Sequence, residues 1–251
     1  MLVQEFFEKI KSLIVEIGET QTAAIKTAAE EIAVRLEAGG ILYIFGSGHS
    51  HVLAEELYSR AGGLIQVKAL MPRELTTDLE MEKSTLMERT DGLAEIIYAT
   101  NKIRKSDALI LVSNSGRNAV PVQMALGAKQ RGIFTIALTN LNHSKSVASR
   151  DKSGKKLYEL CDLVLDNRGP IGDALIHPAG KDYAVAPVSS IAGAVIMEAL
   201  ICGIVESMLS RGVEPPVYRS SNVDGNDDFN KTARESLKAR FPELREVFSP
   251  F

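Results

Sequence analysis

The sequence contains no tryptophan and only two cysteines, Cys161 and Cys202, among its 251 residues. Two thiols cannot form a disulfide scaffold, and no spacing of cysteine and histidine matches a zinc site. We therefore expect no metal or cofactor to be required. An excess of basic charge is also lacking, because 29 basic side chains face 32 acidic ones. This balance argues against nucleic acid as a partner.

Uninterrupted hydrophobic runs are scarce as well. The N-terminal MLVQEFFEKIK carries charges inside its apolar stretch, unlike a signal peptide. The most apolar segment, 189–210, is interrupted by Glu198 and Glu206, which predicts a buried helix rather than a membrane span. We therefore expect a cytoplasmic protein with no membrane partner.

Short β-rich runs alternate with helical patterns along the chain. ILYIF (41–45) shows little alternation, as expected for a strand that is buried on both faces of a parallel sheet. Further strands are predicted at 64–70, 107–112, 132–138 and 161–165. Helices are predicted at 2–17, 20–38, 85–104, 189–211 and 228–240, among others. This order predicts an α/β fold in which helices cover a mostly parallel sheet. We expect residues 1–251 to form a single domain.

The most informative loop is Ser113-Asn114-Ser115-Gly116-Arg117-Asn118, between a predicted strand and a predicted helix. It offers hydroxyl groups, a flexible backbone at Gly116 and the unpaired N–H groups of a helix start, which together favour an anion such as phosphate. An ordinary capping turn is the alternative. Capping accounts for one such residue, but hardly for a run of polar residues and glycine.

Nucleotide-binding motifs fail at the first strand. Gly46-Ser47-Gly48 begins like a dinucleotide fingerprint, but His51 occupies the third glycine position and no acidic residue ends the second strand. No Gly-Lys-Ser/Thr of a P-loop follows either. A smaller phosphorylated ligand is therefore favoured.

Several side chains are candidates for acid–base work or for sugar binding. His49 lies inside the first strand-to-helix loop and could titrate near neutral pH. Glu56 and Glu88 could transfer protons, although a solvated helix residue is the simpler interpretation of each. Asp173 lies in a long loop. Ser189 and Ser190 begin the apolar helix, where a hydroxyl could cap the helix, contact a ligand, or do both.

Four segments together resemble the sugar isomerase (SIS) domain family. They are ILYIFGSGHS (41–50), DALILVSNSGRN (107–118), GIFTIALTN (132–140) and APVSSIAGAVIMEAL (186–200). The resemblance covers about residues 30–212, which leaves helical extensions at 1–29 and 213–251. It implies a three-layer α/β/α sandwich with a five-stranded parallel sheet, a phosphorylated sugar as ligand, and a homodimer or homotetramer. The layout of the whole chain looks like that of the phosphoheptose-isomerase-like single-SIS proteins.

The resemblance also implies roles for individual residues. The phosphate-binding loop of the family corresponds to Ser113, Asn114, Ser115 and Asn118, with Gly116 between them. The sugar-contacting positions correspond to Ser47, Gly48, His49, Ser189 and Ser190.

Some positions depart from the related enzymes. Arabinose-5-phosphate isomerases have a lysine where Phe45-Gly46 stands, and a glutamate where Arg117 stands. In phosphoheptose isomerases the helix histidine corresponds to Val52. These departures leave the reaction less defined than the phosphate site.

The leading hypothesis is an aldose–ketose sugar-phosphate isomerase. Glu88 or Glu56 would transfer a proton through an enediol, and His49 would assist. The alternatives are a lyase or deaminase acting on an amino-sugar phosphate, and a non-catalytic sugar-phosphate-binding regulator or adaptor.

Overall fold

The computed structural model describes residues 1–77 and 80–245. The helices are α1 (Leu2–Glu37), α2 (His51–Leu57), α3 (Met81–Met87), α4 (Leu93–Asn101), α5 (Ala119–Arg131), α6 (Leu141–Ser146), α7 (Leu157–Leu160), α8 (Ser189–Ser210) and α9 (Asn226–Arg240). The strands are β1 (Leu42–Gly46), β2 (Val67–Leu70), β3 (Ala108–Val112), β4 (Phe134–Thr139), β5 (Leu163–Asp166), β6 (Ala174–Ile176) and β7 (Val185–Pro187). Short 3₁₀ turns occupy Gly48–Ser50, Arg73–Leu75 and Pro242–Arg245.

Five parallel strands form the central sheet in the order β2-β1-β3-β4-β5. Successive side chains of a strand point to opposite faces, so each strand contributes to two cores. Leu42 and Ile44 join the core under α1, α2 and α8. Tyr43 and Phe45 join the core under α4, α5 and α7. The predicted α/β/α sandwich with a five-stranded parallel sheet is confirmed.

Helix α8 is the apolar segment that the sequence predicts to be buried. It is the one helix within the described residues that is long and apolar enough to cross a membrane, and 50% of its most apolar window is buried inside the protein. It packs along α1 and against α2. Both glutamates that interrupt it, Glu198 and Glu206, are exposed. In this fold α8 is therefore a core helix.

Two helix predictions are wrong. The separate helices at 2–17 and 20–38 form one helix, α1, which runs through Gly18. A glycine inside a helix costs only about 1 kcal/mol, and Ile17, Gln21 and Ile25 remain buried on one face across the expected break. The helix predicted at 85–104 is instead two helices, α3 and α4. They are separated at Gly92, whose φ is +88°.

The long segment after β5 also differs from the prediction. Where the sequence indicates only a loop, β6 and β7 form a small antiparallel hairpin. Three-residue strands are too short to show a period of two, so the pattern could not distinguish them from irregular chain. The other strand boundaries differ from the predictions by one to three residues.

Candidate functional site

The candidate residues gather at one edge of the sheet. After β1 the chain continues to β2 on one side, and after β3 it continues to β4 on the other. Strand order therefore reverses between β1 and β3, and ligands of open α/β sheets bind outside the carboxyl ends of the strands at such a point. The 47–50 loop and the 113–118 loop follow these two strands.

The 113–118 loop has a tightly packed backbone. The hydroxyl of Ser113 accepts a hydrogen bond from the amide of Gly116 at 3.2 Å. Gly116 has a φ of +57°, and a Cβ atom there would lie 3.1 Å from Cβ of Leu157 and 3.2 Å from Oγ of Ser144. Glycine is therefore required for the loop to turn at this point. The hydroxyl of Ser115 has no hydrogen-bond partner within residues 1–77 and 80–245, which leaves it available to a ligand.

Asn114 joins this loop to the neighbouring strands. Its side-chain oxygen accepts a hydrogen bond from Nδ2 of Asn167 at 2.8 Å. Its backbone oxygen accepts bonds from the amide of Asn140 at 3.1 Å and from the hydroxyl of Thr139 at 3.2 Å. The ends of β3, β4 and β5 are thus joined through Asn114.

Glu88 lies between the two loops. One of its carboxylate oxygens accepts a hydrogen bond from the hydroxyl of Ser47 at 2.7 Å, and the other accepts one from Nδ2 of Asn118 at 2.7 Å. Its backbone oxygen also accepts a bond from the amide of Val120, at 3.0 Å. Arg150 in turn donates to Oδ1 of Asn118 at 2.9 Å. The fold thus fixes one carboxylate beside both candidate loops.

A cavity of about 160 Å³ opens beside these groups. Its lining consists of His49, Ser50, Leu53, Val112, Asn114, Leu138, Asn167, Asp173, Ser189 and Ser190. The lining therefore includes predicted residues from the loops after β1 and β3 and from the start of α8. Its size suits a small polar ligand or part of one.

Asp173 caps helix α8 from a distance in sequence. Its carboxylate accepts hydrogen bonds from the amides of Val188 and Ser189 at 3.1 and 2.7 Å, and from the hydroxyl of Ser189 at 2.7 Å. The serine cap considered from the sequence is wrong, because no hydroxyl caps the helix and Ser189 donates to Asp173 instead. Ser190 remains exposed at the cavity.

Other predicted residues are placed differently. Glu56 forms an ion pair with Arg60 and is not part of the cavity lining. His49 is exposed at the cavity. Gly48, with a φ of +55°, begins the 3₁₀ turn that carries this histidine.

The sequence interpretation did not identify four site residues: Asn140, His143, Arg150 and Asn167. Asn140 and Asn167 directly follow strands β4 and β5, so their position at strand ends was a usable signal. His143 accepts a hydrogen bond from the amide of Gly172 at 3.2 Å. Burial and the positive charge of Arg117 lower the pKa of His143, which favours the neutral ring.

Among residues 1–77 and 80–245, no group of three or more His, Cys, Asp or Glu side chains is arranged to hold a metal ion.

The sheet order and the loops at its polar edge define an α/β protein of the SIS class. A family model described as "SIS domain" matches residues 5–140. A UPF0309 protein of Halalkalibacterium halodurans is 44% identical over 226 residues, which are 90% of this chain and 92% of that protein. A UPF0309 protein of Geobacillus thermodenitrificans is 38% identical over 249 residues, covering 99% of this chain and 100% of that protein. The chain therefore belongs to the SIS domain family and, within it, to the UPF0309 proteins.

Solved structures with a similar fold have low sequence identity. A phosphoheptose isomerase from Francisella tularensis aligns with a TM-score of 0.52 and 19% identity, over 81% of this chain and 96% of that one. A protein from Escherichia coli, solved in complex with a phosphosugar, aligns with a TM-score of 0.50 and 18% identity, over 84% of this chain and 90% of that one. At these identities the likeness establishes the fold, while the chemistry depends on the site.

Proposed function

We propose that this protein binds a phosphorylated sugar and interconverts its aldose and ketose forms. The observation that carries the proposal is the position of Glu88, whose carboxylate is held between Ser47 and Asn118, one from each candidate loop. Membership of the SIS family supports a sugar-phosphate ligand. So do a structural neighbour that is a phosphoheptose isomerase and another that was solved with a phosphosugar bound.

The phosphate would bind at the 113–118 loop, at the N-terminus of α5. Backbone N–H groups of a helix start and the hydroxyl of Ser115 are suitable donors for its oxygens. Binding the non-reacting end of the sugar would fix the position of the reacting carbons relative to the protein. The rest of the sugar would occupy the cavity beside His49, Asn114, Asp173, Ser189 and Ser190.

Glu88 would act as the general base. Its carboxylate would remove the proton from C2 of the open-chain aldose, and the electron pair would form the C1–C2 double bond of an enediol. The same carboxylate would return the proton to C1, which yields the ketose. His49 would assist by moving the hydroxyl proton between O1 and O2 or by opening the ring. Glu56 is the weaker candidate because its carboxylate is paired with Arg60.

A thermal-shift screen against sugar phosphates and amino-sugar phosphates tests the binding step. A ligand selective for the native state raises the unfolding temperature. Ser115→Ala should weaken this stabilisation, whereas Ser12→Ala on the exposed side of α1 is the matched control and should not. If no phosphorylated sugar stabilises the wild-type protein, the proposal is wrong.

Solvent exchange tests the chemical step. Incubation of a binding sugar phosphate in D₂O should place deuterium on C1 or C2, and Glu88→Gln should abolish this exchange while binding persists. Glu95→Gln, in a surface ion pair with Arg131, is the control. Binding without exchange or turnover would favour the non-catalytic regulator or adaptor. Release of an ether-linked or amino group would favour the lyase or deaminase.

The homodimer or homotetramer and the cytoplasmic location stay predictions. Apolar side chains exposed at the start of α1, including Phe7 at 64% exposure, support association of copies. Light scattering on the purified chain tests the oligomeric state.

A further inference from the structure

The arginines of this protein fall into two groups. Most of those within residues 1–77 and 80–245 have a carboxylate or an aromatic ring as a partner. Arg35, Arg60, Arg104, Arg131, Arg168 and Arg211 form ion pairs, and Arg219, Arg234 and Arg240 stack on aromatic rings. In that same part of the chain, Arg89, Arg117 and Arg150 have neither kind of partner.

These three arginines all lie around the candidate phosphate site. Arg117 belongs to the 113–118 loop, and Arg89 directly follows Glu88. The backbone amide of Arg150 donates to the carbonyl of Arg117 at 2.7 Å, and its guanidinium donates to the side chain of Asn118 at 2.9 Å. These guanidinium groups without counter-ions are therefore concentrated at one place in the fold.

Arg117 is the most unusual of the three. Its Nε atom is buried and has no hydrogen-bond partner within the described residues. A buried donor without an acceptor costs free energy, and more so on a charged group. The unpartnered nitrogen therefore indicates a missing acceptor beside the loop.

The surrounding charges add to this cost. Desolvation and the charges of Arg117 and Arg89 lower the pKa of Arg150, while Glu88 is the carboxylate that acts in the opposite direction. The field at the site is thus positive, and an anionic ligand would relieve the repulsion among the guanidinium groups.

We propose that Arg117, assisted by Arg150, is a specificity-determining residue that binds the phosphate group of the ligand as its counter-ion. The inference rests on the proposed function and goes further, because it assigns part of the recognition to charge as well as to hydroxyl and backbone donors. The planar guanidinium fork matches the geometry of phosphate oxygens. The site therefore selects phosphate monoesters over neutral sugars of the same shape.

This assignment makes two opposite predictions for one substitution. Arg117→Gln removes a charge that has no counter-ion in the free protein, so the variant should be at least as stable as the wild type without ligand. The same variant should bind inorganic phosphate at least tenfold more weakly. A merely structural arginine would give the reverse result, with lower stability and unchanged binding.

The experiment is calorimetric titration of the full chain with inorganic phosphate at low and high salt, together with urea unfolding without phosphate. Arg117→Lys should retain part of the affinity, Arg150→Gln should weaken binding, and the ion-paired Arg131→Gln is the control. Wild-type binding should weaken with salt more steeply than that of Arg117→Gln.

The outcomes separate this inference from the proposed function. If the wild type binds phosphate and Ser115→Ala weakens binding, but Arg117→Gln binds as tightly as the wild type, only the inference is overturned. Loss of folding in Arg117→Gln also overturns it, since retained stability is part of the claim. If the wild type does not bind phosphate, both the inference and the proposed function are wrong.

Discussion

Asp173 offers a sharp test of the packing around the cavity, because two separate features of the structure depend on it. Its carboxylate accepts three hydrogen bonds from the start of α8, two of them from backbone amides. Its own backbone has a φ of +74°, a conformation that Asp, Asn and Gly adopt far more readily than Ala does. Substitutions at this position should therefore separate the cost of the lost cap from the cost of the backbone.

The magnitudes follow from these two features. Asp173→Asn keeps an oxygen for the amides and tolerates the positive φ, so we expect a loss of about 0.5 kcal/mol, mainly from the charge at the helix N-terminus. Asp173→Gly removes the cap and should cost about 1 kcal/mol. Asp173→Ala removes the cap and also places a Cβ in the left-handed region, which adds about 1 kcal/mol more.

Urea unfolding of the three variants measures these differences. The expected order of destabilisation is Asn, then Gly, then Ala, and the melting temperatures should differ by roughly 2–4 °C for each kcal/mol. In most helical positions glycine is the more damaging substitution, so the order of Gly and Ala is diagnostic. An alanine variant at least as stable as the glycine variant would refute this account of the hairpin and the helix cap.

Further predictions concern three other features of the site and its support. Gly46→Ala would place a Cβ 2.3 Å from a backbone oxygen and should cost about 1–3 kcal/mol in urea unfolding, whereas Gly48→Ala meets no atom within 4 Å and should cost less despite its φ of +55°. Equal losses would contradict the close approach after β1. Burial raises the pKa of the Cys161 thiol to about 12, so in a Cys202→Ser background it should resist a thiol reagent at pH 8 until the protein unfolds. Rapid labelling of the native protein would contradict that burial. Because the pKa of His143 is lowered in the folded state, the unfolded chain binds the proton more readily, and stability should fall as pH drops below about 6.5. Urea titrations at pH 7 and 5 should show a smaller loss for His143→Gln, and an equal loss would count against the assignment.

Much of the sheet and its loops is predictable because the signals are local. Apolar β-rich runs such as 41–45, followed at once by polar turns, specify both a strand and the edge at which its loop emerges. The 113–118 loop could be identified as a candidate anion site from six consecutive residues. These features depend on neighbours in sequence, which a single chain displays directly.

Other features depend on contacts between distant segments. The hydroxyl of Ser47 meets the carboxylate of Glu88 across 41 residues. Asp173 caps a helix that begins 16 residues later in the chain. Nothing within either segment indicates its partner. The unbroken α1 was also unpredictable, because the local cost of Gly18 is outweighed by the packing of the same helix face against α8.

The central claim is that the 113–118 loop binds the phosphate of a sugar phosphate. A crystal structure of the complex with a sugar phosphate that stabilises the protein tests it most directly. We expect phosphate oxygens within hydrogen-bonding distance of the hydroxyl of Ser115 and of the backbone N–H groups at the start of α5. A sugar phosphate bound with its phosphate elsewhere, and with this loop contacting no part of it, would contradict the claim.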